Sequence, residues 1–186
     1  MSHRLKPECK EVGACKGKWR GINLTYSFID TKQHEWSEKE KAKVSDAFLS
    51  WSNLTILNFK EKSEAGNIKL SVVSRSHGDS FPFDGRGGKL AHAFFPSSQR
   101  PGEIHYDQAD FPEYLFAVTL HEIGHAVGLV HSDNKNSVMY PYIGAYTRLD
   151  KETINRTDNL YTHDPDIINL GDIEDEQRQN VHDECC

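Results

Sequence analysis

His121, Glu122, His125, Gly128 and His131 fall within eleven consecutive residues, three imidazoles and one carboxylate at a spacing suited to a hydrolytic zinc ion. On a helix, His121 and His125 lie one turn apart on the same face and can grip one ion, with Glu122 projecting beside them. A ligand from the next turn would crowd the first two, so Gly128 reads as the residue that breaks the helix and swings His131 back. Three protein ligands leave one position open for water. Zinc held by neutral imidazoles at ~2.0–2.1 Å brings the pKa of bound water down to ~7 and polarises a carbonyl oxygen. Glu122 is then the general base, returning the proton to a leaving amine, and no nucleophilic Ser or Cys is required. A bare His pair at i, i+4 is as often a plain surface or core feature; five defined positions in eleven weigh against that here. Met139, in Ser137-Val138-Met139-Tyr140-Pro141, lies eight residues past His131 and is placed to floor the site hydrophobically.

With these residues the chain resembles a metzincin, and within that clan the catalytic domain of the matrixins, the matrix metalloproteinases. Ser132 follows the third histidine as in matrixins, where the astacin and adamalysin branches place an acidic residue. The segment from His77 to Phe94, HGDSFPFDGRGGKLAHAF, is similar to the matrixin stretch that builds a second, structural zinc site and a calcium site. The resemblance implies a structural zinc closed by His77, Asp79, His92 and His105, four-coordinate and without an open position. The residues make a case of their own: three histidines and an aspartate recur across twenty-nine residues that are Gly-rich and poor in core-forming periodicity, a loop that needs an ion to be ordered. By resemblance, at least one calcium is held by Asp84, Gly85, Gly87, Lys89, Asp107 and Asp110, through carbonyls where no carboxylate exists. Asp110 stands where a Glu is usual, and its shorter reach weakens that site or recruits water. Ser97 to Glu103 lacks the glycines and aspartate of a further calcium site, and none is expected there.

For substrate, the resemblance implies an extended polypeptide added to an edge strand, hydrogen-bonded by the backbone of Leu90 and Ala91. The main pocket, for the residue after the scissile bond, would lie between the active-site helix and residues 141–148, beginning at Pro141. Ala117, one turn before His121, suggests a deep pocket that takes a long apolar side chain such as Leu; Ile143, where the family tends to place Tyr, alters its wall. Polypeptide substrates and protein inhibitors of metalloproteinases are the implied partners, and the chain is expected to be a monomer. The rival class is a catalytically silent, metal-stabilised binding module, which would be expected to have lost Glu122 or a ligand; another metzincin branch is disfavoured by Ser132 and the His77–His92 segment.

The elements that must position these residues can be read from periodicity. Strands are expected at 23–29, 57–60, 68–73 and 89–95, with a short one around Ile104. Ser37-Glu38-Lys39-Glu40 is a capping box, and Val44, Ala47, Phe48 and Trp51 recur at helical spacing as a buried stripe. The active-site helix lies within the apolar run 114–130, and a last helix over 149–161 would dock through Ile154 and Leu160. These elements make the fold class α+β, and the resemblance implies the metzincin (zincin-like) fold: a five-stranded twisted mixed sheet, three helices, and a cleft above a small C-terminal subdomain.

The resemblance covers residues 19–161; a cysteine-bearing arm (1–18) and an acidic tail (162–186) flank it. That tail carries eight acidic residues against Arg178 alone, so the net charge of −6 belongs to it and the rest of the chain is near neutral. A neutral body without a basic stripe gives no reason for nucleic-acid binding, and no apolar run approaches the ~18 residues of a membrane span. Residues 1–7 lack the apolar core of a signal peptide, the expectation for a chain met in processed form. Cys9 and Cys15 sit at one end and Cys185 and Cys186 at the other. Adjacent cysteines pair with each other only under strain, so two bridges tying the ends together in a secreted, extracellular protein are expected, with free thiols or a metal cluster as the alternative. Pro7-Glu8-Cys9-Lys10 lacks the Arg, Gly and Asp of the matrixin latency motif and is not assigned that role. Three sequons, at Asn23, Asn53 and Asn155, would be open to glycosylation in such a protein.

Overall fold

The computed structural model describes residues 17–144 and 148–162; the four cysteines and nearly all of the acidic tail, with the disulfide expectation, lie outside these. Strands β1 (Asn23–Phe28), β2 (Asn58–Glu61), β3 (Ile68–Val73), β4 (Ala91–Ala93) and β5 (Glu103–Asp107) form one sheet in the order β2-β1-β3-β5-β4. Pairings β1–β2, β1–β3 and β3–β5 are parallel, and only β4 runs antiparallel, to β5. The sheet is mixed and five-stranded, as the resemblance implied, with β4 shorter than the expected 89–95: Ala91–Ala93 form the ladder to β5, and single bonds flank it at Leu90 O and at Phe94.

Helix α1 (Glu38–Leu54) starts at the capping box, where Ser37 Oγ accepts from Glu40 N and the Glu40 carboxylate accepts from Ser37 N. Its buried face is the expected Val44, Ala47, Phe48 and Trp51. Phe48 stacks on Tyr26 of β1 at 3.9 Å between ring centroids, which seats the helix on the sheet. Trp51 donates through Nε1 to the carbonyl of Leu120 at 3.2 Å, joining α1 to α2 (Leu115–Ala126).

Helix α2 ends four residues before the apolar run does. Gly128 adopts φ +106°, a conformation that suits glycine, and the chain turns back with Gly128 N on His125 O and Leu129 N on Gly124 O. Two more orphan carbonyls at this helix end are met by side chains from afar: Trp19 Nε1 donates to Ala126 O and Tyr161 Oη to Val127 O, both at 2.8 Å. No described helix is long and apolar enough to cross a membrane.

Helix α3 (Lys151–Thr162) begins two residues later than expected, because Asp150 is its N-cap and accepts from Thr153 N at 3.0 Å. Ile154 and Leu160 pack against the core but are only partly buried; the fully buried line is Thr153, Thr157 and Tyr161. Those threonines are satisfied locally, Thr157 Oγ1 on Thr153 O at 2.8 Å and Thr153 Oγ1 beside Ser137 Oγ at 3.1 Å. The small C-terminal subdomain is thus tied to the α2 end and to the turn holding Met139.

Candidate active site

His121 and His125 share one face of α2 and are almost fully buried, while His131 reaches them from the loop beyond Gly128 and is half-buried. One ring nitrogen from each forms a group whose members all lie within 4.8 Å of one another. His121 Nδ1 donates to Val138 O at 2.6 Å and His125 Nδ1 to Leu129 O at 2.8 Å. Carbonyls only accept, so each Nδ1 carries the proton and each Nε2 presents a lone pair. Those two lone pairs stand 3.0 Å apart, and His131 Nε2 is buried without a hydrogen-bond partner. Such an arrangement is repulsive alone and stable around a cation, and three imidazoles are a donor set suited to zinc.

The rings are neutral. Burial, and then the nearby His131, pushes His121 down to about 3; burial, and then Arg156, pushes His131 down to about 4; His125 is held well below its ordinary value, chiefly by burial. The Glu122 carboxylate does not belong to the converging group. It is buried, Oε2 has no partner, and burial pushes its pKa up to about 8; a dication alongside would draw it back down.

Met139 is fully buried under this helix. A Cβ at Gly124 would lie 2.2 Å from Met139 Sδ, so the glycine is what lets the turn approach α2. The turn is pinned by Ser132 N on Met139 O at 2.9 Å and by Val138 N on Asp150 Oδ2 at 2.8 Å. Burial alone would raise the Asp150 carboxyl, but its bonds from Thr153, Val138 and Ser137 prevail and hold it below its ordinary value.

A second cluster lies against the β5–β4 edge. His77 Nε2, His92 Nε2 and His105 Nδ1 converge on one oxygen, Asp79 Oδ2, at 2.7, 2.8 and 2.8 Å. His77 Nδ1 donates to Arg75 O at 2.8 Å, and His105 Nε2 lies 3.4 Å from Glu103 Oε2, so in their neutral forms these two rings present inward lone pairs to a carboxylate, while His92 Nδ1 is buried without a partner. A cation at the centre reconciles these lone pairs with the carboxylate, and the set of three imidazoles and one carboxylate is complete for tetrahedral zinc. His92 is pushed down to about 3 by burial and then by His105.

The loop from Asp84 to Lys89 folds against the end of β5, with Gly85 N on Asp107 Oδ2 at 3.1 Å, Gly87 N on Asp110 Oδ1 at 2.8 Å and Lys89 N on Asp84 Oδ1 at 2.9 Å. Asp110 Oδ2 is buried without a partner, and Asp107 is raised by burial and then by repulsion from Asp110 and Asp84. Both observations fit a cation here, yet among the described residues these carboxylates are not drawn into a group as tight as the two above. Leu90 and Ala91 are buried at the outer strand β4, with Asp107 N on Leu90 O at 2.9 Å. Ala117 lies in the first turn of α2 and is 8% exposed, and Pro141 lies past the Met139 turn; residues 145–147 of the expected pocket wall fall outside the described residues. Asp150, Glu152 and Arg156 were not singled out from sequence; the spacing Asp150 to Thr153 is a helix N-cap signal that could have found the first.

A model of the matrixin family matches residues 18–162. The chain belongs to the matrixins. Matrixins are zinc metalloendopeptidases, with zinc and calcium as their cofactors. This matrixin is 34% identical over 181 residues to matrix metalloproteinase-26 of Homo sapiens, covering 94% of this chain and 62% of the relative. It is 36% identical over 161 residues to interstitial collagenase A of Mus musculus, covering 81% and 35%. It is 39% identical over 171 residues to macrophage metalloelastase of Rattus norvegicus, covering 84% and 37%. The chain thus spans about three-fifths of the first of these relatives and little over a third of the other two.

Proposed function

We propose that this matrixin is a secreted, extracellular endopeptidase that cleaves extended protein substrates of the extracellular-matrix type, with a large apolar residue after the scissile bond. The observation that carries the reading is a buried carboxylate, Glu122, with an unpartnered oxygen, on the residue adjacent to one of three converging neutral imidazoles. His121, His125 and His131 would hold the catalytic zinc, His77, Asp79, His92 and His105 the structural zinc, and Asp84, Gly85, Gly87, Lys89, Asp107 and Asp110 a calcium. Residues 19–161 would be the catalytic unit, flanked by the arm and the tail, and protein inhibitors of metalloproteinases are further partners.

When bound, zinc supplies a Lewis acid that polarises the scissile carbonyl and brings the pKa of water toward ~7. Glu122 takes the proton of the attacking water and delivers it to the departing amine. Val138 O and Leu129 O hold His121 and His125 in the tautomer that points Nε2 inward. β4 is an edge strand, and the backbone of Leu90 and Ala91 beside its outer edge would receive an extended substrate, Leu90 through groups other than the carbonyl taken by Asp107 N, a mode indifferent to sequence. Ala117 and Pro141 would border the pocket that selects Leu.

Cleavage of a quenched fluorescent peptide with Leu after the scissile bond, under zinc and calcium, tests the proposal. The expected result is cleavage by the native chain that vanishes in Glu122→Ala with zinc retained. Equal silence from both, with zinc bound, would favour the binding-module reading.

A further inference from the structure

His121 and His125 are each oriented twice, by the helix and by a carbonyl on the far ring nitrogen. His131 has neither: it lies outside α2, and no described residue hydrogen-bonds its ring. Its placement must come from the backbone on either side, and both sides are held from α3. Ahead of it, Val130 O accepts from Arg156 Nη2 at 2.7 Å. Behind it, Ser132 Oγ donates to Glu152 Oε1 at 2.6 Å and Asn134 Nδ2 donates to Glu152 Oε2 at 3.0 Å. Glu152 and Arg156 are one helical turn apart and face each other, Nη1 to Oε1 at 3.6 Å. We infer that Glu152 and Arg156 form a clamp on α3 that positions His131, the ligand supplied by the loop, so that the geometry of the tri-histidine site depends on a helix that contributes no ligand.

The physical reason is entropic. A loop ligand free to wander lowers metal affinity because ordering it must be repeated at each binding event, and a guanidinium and a carboxylate on one helix that hold the loop on both sides remove that freedom beforehand. The arms are partly exposed, Arg156 27% and Glu152 35%, so their worth lies in where they hold the loop rather than in the ion pair itself. The clamp rests on the tri-histidine reading of the site proposed above.

The test is chelator-driven zinc release from the full chain, with the phase that is missing in His125→Ala assigned to the tri-histidine site. Arg156→Met and Glu152→Gln are expected to release that zinc roughly 10- to 100-fold faster than the native chain, the usual reach of an outer-shell partner, and to lower kcat with KM little changed. The other phase should not move, and Arg156→Lys should recover part of the loss by restoring one donor to Val130 O. Lys151→Ala, exposed on the same helix, serves as the unaffected control. Unchanged release in both clamp variants would overturn the inference. So would faster release that merely follows a fall in the melting temperature of the metal-free chain and is not recovered by Arg156→Lys. A native chain that loses only one zinc, from the His77 cluster, would overturn the reading of the site and the clamp with it.

Discussion

The two histidine clusters use nearly the same side chains and differ in where the carboxylate stands. At the His77 cluster Asp79 Oδ2 sits inside the convergence, within 2.8 Å of three ring nitrogens, and the donor set is full. At the His121 cluster the carboxylate of Glu122 is kept out of the group, buried and with an oxygen unpartnered. A carboxylate that joins three imidazoles as the fourth ligand closes a site and leaves it structural; one that stands beside three imidazoles leaves room for water and a base to take its proton. The supports differ as well. The closed cluster is gathered from a loop and two strands, whereas the open one is built on a helix, a glycine turn and the Met139 floor.

The sharpest way to break this contrast is at the two carboxylates. Glu122→Gln should lower kcat by about 10²–10⁴-fold, the range of a lost general base, while zinc content measured by atomic absorption stays at the native value. Asp79→Asn should instead cost one zinc and about 3 kcal/mol or more of folding stability by urea titration, because it removes the anionic member of a donor set whose other three members are converging imidazoles. If Asp79→Asn kept both zincs and lost only activity, the two roles would be the reverse of those assigned.

Two smaller effects sharpen the difference in support. Gly124→Ala forces Met139 away from α2 and should destabilise by about 1–3 kcal/mol, read by thermal melting, with zinc loss confined to the open site. Asp150 caps the Met139 turn with a carboxyl held below its ordinary 3.8, so its contribution is fully present above that value and is lost as pH falls through the lower folded pKa. Asp150→Asn keeps an N-cap acceptor and loses the charge, so it should be less stable than the native chain at neutral pH by about 0.3–1 kcal/mol, with the gap closing below roughly pH 4. A gap that stays constant down to pH 2 in acid titrations would show that the charge of Asp150 is not what caps the turn.

Both donor sets could be read in the sequence because metal ligation demands particular residue types at particular places. The capping box at Ser37 and the stripe from Val44 to Trp51 were legible for a related reason, since local hydrogen bonds and helical periodicity leave local patterns. Long-range polar partners leave none. The buried face of α3 is Thr153, Thr157 and Tyr161, invisible to a search for apolar spacing that points to Ile154 and Leu160. Arg156 looks like an ordinary surface cation until Val130 O is seen beside it. The end of α2 fell short of its apolar run because Gly128, Trp19 and Tyr161 together satisfy the helix terminus there.

The most direct measurement is a titration of zinc into the metal-stripped chain at fixed calcium, following bound metal and peptide cleavage together. The account predicts one zinc that binds and stabilises without activity, at the closed cluster, and a second whose binding brings cleavage in proportion. Full cleavage with only the closed cluster occupied, or two zincs bound with no cleavage, would contradict it.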